Sequence, residues 1–417
     1  MKQRMNTVRL LLTVALIALT GISLSANGLN LNGIGSKAIA MGGAFIGQAD
    51  DYSAIFWNPA GLTQMKSAGI SLFVTDVIPS GSYAFSMYGI DAKTQSTMYP
   101  SGALGYFKPI NDKLVIGIAA YVPSGIGAKW NGEDLKLLTQ GVAYRWESFM
   151  GVITVSPVIA YKVSDQFSLG ATLNLNYGMM KIWRPGVGQY NEDLSGFAFG
   201  ATVGALFKPI DRLGIGVTLR MPTKVKFSGE ATMAGATAVG QATTSDAERE
   251  ATWPLWLGLG LSFKATDKLT LNADAQFTNW KKIETIGITY DNANWQALKA
   301  HPLLKAAFNN DFELNWKNTI QWRFGAEYML SEKLALRAGY YHDPSPSDPA
   351  TLNILLPEIT YNVVTAGLGF KAEKLAVDFC MEYLIGQDVD VPMGGGKMPG
   401  THGMSILAPN IAFSYRF

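Results

Sequence analysis

"LTLNADAQF", Leu269 to Phe277, puts Leu269, Leu271, Ala273, Ala275 and Phe277 on one face of an extended chain and Thr270, Asn272, Asp274 and Gln276 on the other. A period of two belongs to a strand, whose successive side chains point to opposite faces. One face here is apolar without exception, and the other is polar and includes an ionisable carboxyl. The same contrast recurs in "LGIGVTLR", where Leu213, Ile215, Val217 and Leu219 oppose Gly214, Gly216, Thr218 and Arg220. It recurs again in "WPLWLGLGLSF", which aligns Trp253, Leu255, Leu257, Leu259, Leu261 and Phe263. Segments of this length cross a hydrocarbon layer when tilted. A lipid-compatible face backed by a polar or glycine face is the wall of a transmembrane β-barrel.

Six short connections between such segments look alike: "YFKPINDKLVIG", "AYKVSDQFSLG", "LFKPIDRLGIG", "SFKATDKLTLN", "YMLSEKLALR" and "GFKAEKLAVD". Each carries an aromatic just before the turn, namely Phe107, Tyr161, Phe207, Phe263, Tyr328 and Phe370. Amphipathic rings settle at headgroup depth, so tight polar turns flanked by aromatics mark one membrane–water interface. Seven longer polar stretches alternate with them, at 76–99, 123–151, 180–195, 221–251, 281–317, 343–360 and 386–406. Together these predict an all-β fold: a 14-stranded antiparallel transmembrane barrel with both chain ends on the short-turn side. The final "NIAFSYRF" alternates Ile411, Phe413, Tyr415 and Phe417. It resembles the terminal strand that bacterial outer-membrane barrels present to the barrel-assembly machinery.

Composition agrees. Residues 1–26 begin with Lys2, Arg4 and Arg9, run through an apolar core to about Leu24 and end in small residues. That is the pattern of a secretory signal peptide. Without the leader, Lys+Arg falls one short of the 32 Asp+Glu, and no basic block suggests nucleic acid as a partner. Charged residues make up only 16% of the chain, against about 25% in soluble domains. The single cysteine, Cys380, excludes an internal disulfide framework. Export, few charges and dispersed apolar residues predict the outer membrane of a Gram-negative bacterium, in contact with its lipid and lipopolysaccharide, and a chain that works as a monomer.

The inward face carries many glycines, among them Gly117, Gly200, Gly204, Gly214, Gly216, Gly258, Gly260, Gly367 and Gly369. Glycine weakens a strand, so a set on one face predicts close approach by other backbone or by a ligand. Arg220, Asp274, Arg323, Glu327, Arg337, Asp378 and Glu382 also point inward. Both signs occur, which predicts ion pairs supporting the wall and any plug rather than an ion-selective ring. Arg323 and Arg337 are candidates for meeting a ligand carboxylate.

Ahead of the first strand, near Gly69, stands a segment rich in Gly, Ala and Ser that ends in "DDYSAIFWNPAGL", Asp50 to Leu62. Pro59 disfavours helix at Asn58 and fixes a bend. Phe56 and Trp57 then need an apolar wall, and both are candidate ligand contacts. A barrel of 14 strands is too wide to be filled by its own side chains. Residues 27–66 are therefore expected to fold into the lumen as a hatch, with 67–417 forming the barrel. "GSKAIAMGGAFIGQADDYSAIFWNPAGL", with its small-residue run, its Asp50-Asp51 pair and its Asn58-Pro59-Ala60 motif, resembles the hatch of the FadL/TodX family of outer-membrane transporters. That family carries long-chain fatty acids and other hydrophobic compounds. "YVPSGIGAKW", Tyr121 to Trp130, resembles the family's third strand, so the resemblance implies a kink that opens the wall sideways. It also implies that movement of about Asn27 to Leu31 reshapes the pocket. From the residues alone, Asp50 and Asp51 read as a helix cap or turn rather than a metal site.

The expected function is passive transport of hydrophobic small molecules, without enzyme activity, metal or cofactor. A chain of about 15 methylenes recovers on the order of 12 kcal/mol when taken out of water. Sideways exit into the bilayer keeps that burial, and release into water forfeits it. Trp295, Leu298, Leu303, Leu304 and Phe308 in the 281–317 stretch are candidates for an outer capture surface. The three histidines, His301, His342 and His402, all fall in expected outer loops, away from any positioned nucleophile. A polar-solute porin and a structural or adhesive barrel remain the competing readings. The first would show steady conductance, and the second no change in uptake on deletion.

Overall fold

A computed structural model describes residues 28–417; the leader read at 1–26 lies outside the described residues. Among these, fourteen antiparallel strands form the wall. They are β1 (Gly69–Phe85), β2 (Tyr99–Pro109), β3 (Leu114–Trp130), β4 (Trp146–Lys162), β5 (Phe167–Gly186) and β6 (Gly188–Ile210). β7 runs Leu213–Arg220 and resumes at Thr223–Met233, and β8 runs Thr244–Trp253 and resumes at Trp256–Lys264. The rest are β9 (Leu269–Thr278), β10 (Thr319–Met329), β11 (Leu334–Asp343), β12 (Tyr361–Lys371), β13 (Leu375–Gly386) and β14 (Gly400–Arg416). β14 pairs with β1 from Gly69↔Arg416 to Ala84↔Thr401, which closes the cylinder. Closure pairs the first strand with the last, the condition for crossing a bilayer with strands.

The alternation sorts as expected in the lower wall. Leu259, Leu261, Phe263 and Leu271 stand exposed on the outside, while Asn272, Asp274, Gln276 and Thr218 are buried inside. Above the lipid band both sides of a strand can be polar, and there the sequence reading needs correction. The 180–195 stretch is not a loop. β5 and β6 stay paired up to Gly186↔Gly188 around a turn at Val187. Most of 221–251 is likewise strand, as are the ends of the 76–99, 123–151 and 386–406 stretches. Trp253 does not share the outward face of Leu257. The break at Pro254-Leu255 flips the phase of β8, so Trp253 and Trp256 both turn into the bore. Met221-Pro222 does the same in β7, with Thr218 buried below and Val225 and Phe227 buried above. His342 and His402 belong to β11 and β14 rather than to loops.

Residues 28–62 pack against inward-facing groups of the wall, and 63–66 lead to β1. They form α1 (Ser36–Ala40), α2 (Ala54–Trp57) and a 3-10 turn (Pro59–Gln64). The inward glycines admit them. A Cβ on Gly216 would overlap the Ile46 carbonyl, one on Gly214 the Gly47 carbonyl, and one on Gly339 the Met41–Gly42 peptide. Hatch backbone thus lies directly on wall backbone. The inward polar groups hold it there: Asp274 Oδ2 accepts the N–H of Phe45 (2.9 Å) and Ile46 (3.0 Å). Arg323 Nη1 donates to Gly42 O (2.9 Å) and Thr218 Oγ1 donates to Trp57 O (2.8 Å).

Candidate functional site

Asn58 is fully buried, and its side chain is used up by the hatch and wall. Nδ2 donates to Ile46 O (3.0 Å) and to Ala205 O of β6 (2.9 Å), while Oδ1 accepts the Ala60 N–H (3.2 Å). α2 ends at Asn58, and Pro59 starts the next turn at a position where its missing N–H is no loss. Asp51 Oδ1 accepts the Ser53 N–H (2.8 Å) and hydroxyl (2.6 Å), closing an Asx turn. Asp50 pairs with Lys37 (2.8 Å) at the mouth on the short-turn side. Trp57 is buried with Nε1 on Ile34 O (2.9 Å). Phe56 packs edge-on against Trp57 and Tyr121.

β3 is where the wall departs from regularity. Val115, Ala119 and Tyr121 face the bore in its lower half, and Ser124, Ala128 and Trp130 in its upper half. The change of phase falls on Val122-Pro123, where the register with β4 slips between Tyr121 and Ser124. Proline has no N–H to give to a ladder, which is why it sits at such a break. On the other side, β2–β3 pairing stops at Ala103↔Tyr121, and Tyr99 to Gly102 keep only β1. Contact resumes above through Thr94↔Trp130 and a Gln95 N–H donated to Lys129 O (2.7 Å). Between these points β2 and β3 form no ladder, which leaves an opening in the pairing of the wall.

The first described residues lie across this opening from inside. Asn30 bridges to Ser124, the Leu31 N–H donates to Pro123 O (3.1 Å), and the Ser124 hydroxyl donates to Leu29 O. From β8, Trp253 Nε1 donates to Ser124 Oγ (2.6 Å). Glu358, in the connection after β11, accepts the Gly28 N–H, and Asn32 bonds Glu382 of β13. Gly28 has φ +61°, and a Cβ there would overlap the Trp280 ring.

Behind the opening is a cavity of about 280 Å³. Val77, Pro79, Ile126, Val152, Leu384 and Ile406 make it chiefly apolar, and it reaches Phe149 and Ile153 on the outer side of β4. Its inner end holds Asp343, Glu358, Tyr361 and Glu382 and no basic residue. Burial pushes the Glu358 carboxyl well above the usual carboxylate range, and Asp343 adds to the shift. A second chamber, about 80 Å³, shares Asn30, Ser124 and Val152 with the first. It is walled by Phe56, Tyr121, Asn174, Thr202, Arg220 and Trp256.

Of the sequence-derived candidates, only Phe56 lines either chamber. Arg323 is buried between Trp57 and Tyr341 and bonded to Gly42 O and Gln321. Arg337 is neutralised by Glu327 (2.7 Å) and Asp378 (2.6 Å) near the other mouth. In the outer connection, Trp295 and Phe308 are fully buried and packed edge-to-face. Leu298 and Leu304 are half-buried beside them, and Leu303 alone is strongly exposed. The residues that sequence reading missed are Ser124, Glu358 and Asp343. Pro123 inside a strand was the available signal for the first. Nothing in a polar loop distinguishes Glu358.

Residues 16–417 match the family model described as outer membrane protein transport protein (OMPP1/FadL/TodX). The chain belongs to this family. Its fold is that of a Pseudomonas aeruginosa FadL homologue (TM-score 0.76, 18% identity, 94% of this chain and 100% of that one). The Pseudomonas putida toluene transporter TodX superposes equally well (TM-score 0.76, 17% identity, 93% and 99%). In sequence it is 26% identical to a protein of Neisseria meningitidis serogroup B named as a putative outer membrane protein, over 79% of both chains. It is 23% identical to outer membrane protein P1 of Haemophilus influenzae over 89% of both. This member of the OMPP1/FadL/TodX family is an outer-membrane protein of a family of transport proteins.

Proposed function

We propose that this protein carries small hydrophobic molecules across the outer membrane passively, by way of the 280 Å³ cavity and the opening between β2 and β3. The carrying observation is continuity: an apolar chamber inside the bore shares its lining with residues on the lipid side of the wall. Cargo that slides outward through such an opening keeps its apolar surface away from water throughout. A polar-solute porin is less supported, since Asn58, Asp274 and Arg323 tie the hatch into the bore. Contact with lipopolysaccharide outside the wall, and delivery to the barrel-assembly machinery by the terminal strand, belong to the same reading.

Deleting Pro123 alone removes the one-residue slip, restores the phase of β3 and lets it pair with β2 along its length. A strain that relies on this protein should then lose uptake of labelled hydrocarbon or fatty acid, while the barrel still migrates as folded before heating. Undiminished uptake by the deletion variant would rule out the sideways route.

A further inference from the structure

Several strands end, on the short-turn side, in cations that face the bore. Phe207, Phe263 and Phe370 stand exposed on the lipid side, so the lysines that follow them, Lys208, Lys264 and Lys371, turn toward the axis. The Lys208 ammonium donates to Gln64 Oε1, in the turn that ends the hatch. Two adjoining cavities at the periplasmic mouth collect these side chains. One, about 330 Å³, is lined by Lys66, Lys333, Lys371 and Arg416 around Tyr52 and Met65. The other, about 270 Å³, is lined by Lys208, Lys264 and Lys268. Asp50, Gln64, Glu327 and Met329 line both, so the two form one concave floor around the hatch.

Acids reach the same floor, and nearly all are committed elsewhere. Asp50 is held by Lys37 (2.8 Å), Glu327 and Asp378 by Arg337 (2.7 and 2.6 Å), and Asp267 by Arg212 (2.9 Å). Asp51 is closed on Ser53. Among the described residues none of the seven cations named above has an ion-pair partner, and Asp211 is the one acid of the floor left to offset them. Uncompensated like charges in a concave site focus the field and draw in anions.

The surroundings narrow the kind of anion. Headgroups of the inner leaflet lie beyond the aromatic rings, across the wall from these lysines. A glycan offers carboxylates but no apolar side chains, whereas the floor sets Tyr52, Met65, Met329 and Ala335 among its charges. An acidic protein segment supplies both kinds of group, and complementary charge steers such an encounter.

We propose that the periplasmic mouth is a docking floor for an acidic segment of a periplasmic protein, whose carboxylates meet Lys66, Lys333, Lys371 and Arg416 and whose apolar side chains meet Tyr52 and Met65. The hatch and its link to β1 contribute Tyr52, Gln64, Met65 and Lys66, so the partner touches the plug itself. This face stands apart from both chambers, and docking does not depend on the route of the cargo.

The test places photoreactive p-benzoylphenylalanine at Met329 in the full-length protein in living cells. Irradiation should give an adduct that mass spectrometry maps to an acidic segment of a periplasmic protein. Lys66→Gln, Lys333→Gln and Lys371→Gln together should cut its yield about fivefold. Lys66→Arg, Lys333→Arg and Lys371→Arg together should retain it, with heat-modifiable migration as the check that each variant is folded. In detergent, a labelled peptide of Glu, Leu and Gly should bind purified wild type and lose about tenfold in affinity between 50 and 300 mM NaCl. The Gln variant should show a weaker salt dependence. An adduct to phospholipid or to peptidoglycan, no adduct, or an undiminished yield in the folded Gln variant would overturn the docking floor. So would a wild type that fails to bind the peptide.

Discussion

Asn58 shows how one side chain can decide whether a segment is a plug or a tail. It satisfies two carbonyls from different parts of the molecule, Ile46 in the hatch and Ala205 in β6, and caps the turn that follows. Removing a buried amide leaves those carbonyls without donors, at about 1–3 kcal/mol each. Asn58→Ala should therefore loosen the hatch by about 2–6 kcal/mol without unfolding the wall, whose ladder it does not enter. Hydrogen exchange of residues 36–62 should accelerate, uptake should fall, and migration before and after heating should match wild type. Wild-type exchange in the variant would mean that the motif only shapes the turn. Gly216 makes the complementary point, since the wall holds a glycine where the Ile46 carbonyl comes too close for any side chain.

At the scale of elements, the hatch meets the periplasmic mouth through α1 and the turn before α2. Burial pushes the Asp51 carboxyl up to about 6, with Lys37 pulling it down and the Asp50 and Asp378 charges pushing it up. The folded hatch therefore keeps a proton between pH 3.8 and about 6 that the released segment has already lost. Hatch stability falls as pH rises through that window and levels off above it. Asp50 lies on the other side: Lys37 holds its carboxyl below the usual range, so its contribution is lost only in more acidic solution. Protection of residues 36–58 from exchange, corrected for intrinsic rates, should thus increase from pH 6.5 to pH 4.5. Asp51→Asn should flatten that dependence, and an unchanged slope would shift the cause to another group. β3 illustrates the same scale differently. Its sequence alternates well on both sides of Val122-Pro123, and only the slip between the halves unpairs it from β2.

For the whole molecule, the solvent is lipid on one side, so exposure has an unusual meaning. Leu259 is 49% exposed, a position where a soluble protein would accept a charge without difficulty. Here Leu259→Arg should destabilise the barrel by about 2–4 kcal/mol if the residue lies near the bilayer midplane. Leu303, the most exposed apolar residue of the outer connection at 86%, should accept arginine with little change. Denaturant unfolding in lipid vesicles distinguishes the two, and equal effects would misplace the lipid band.

The sequence by itself determined the barrel and the number of its strands. Those follow from alternation and turn chemistry, both of which are local and repeated many times. Strands were harder to recognise above the bilayer, as at 180–195, because water on both faces removes the contrast between them. The tertiary structure alone decided how β3 loses its pairing with β2 and which charges line the two chambers. An opening is a mismatch of register between neighbouring strands, and pleat period carries no record of it. Gly28 meets Glu358, Trp253 meets Ser124, and Arg220 meets Phe56 and Trp256 only because closing the cylinder brings together residues far apart in the chain.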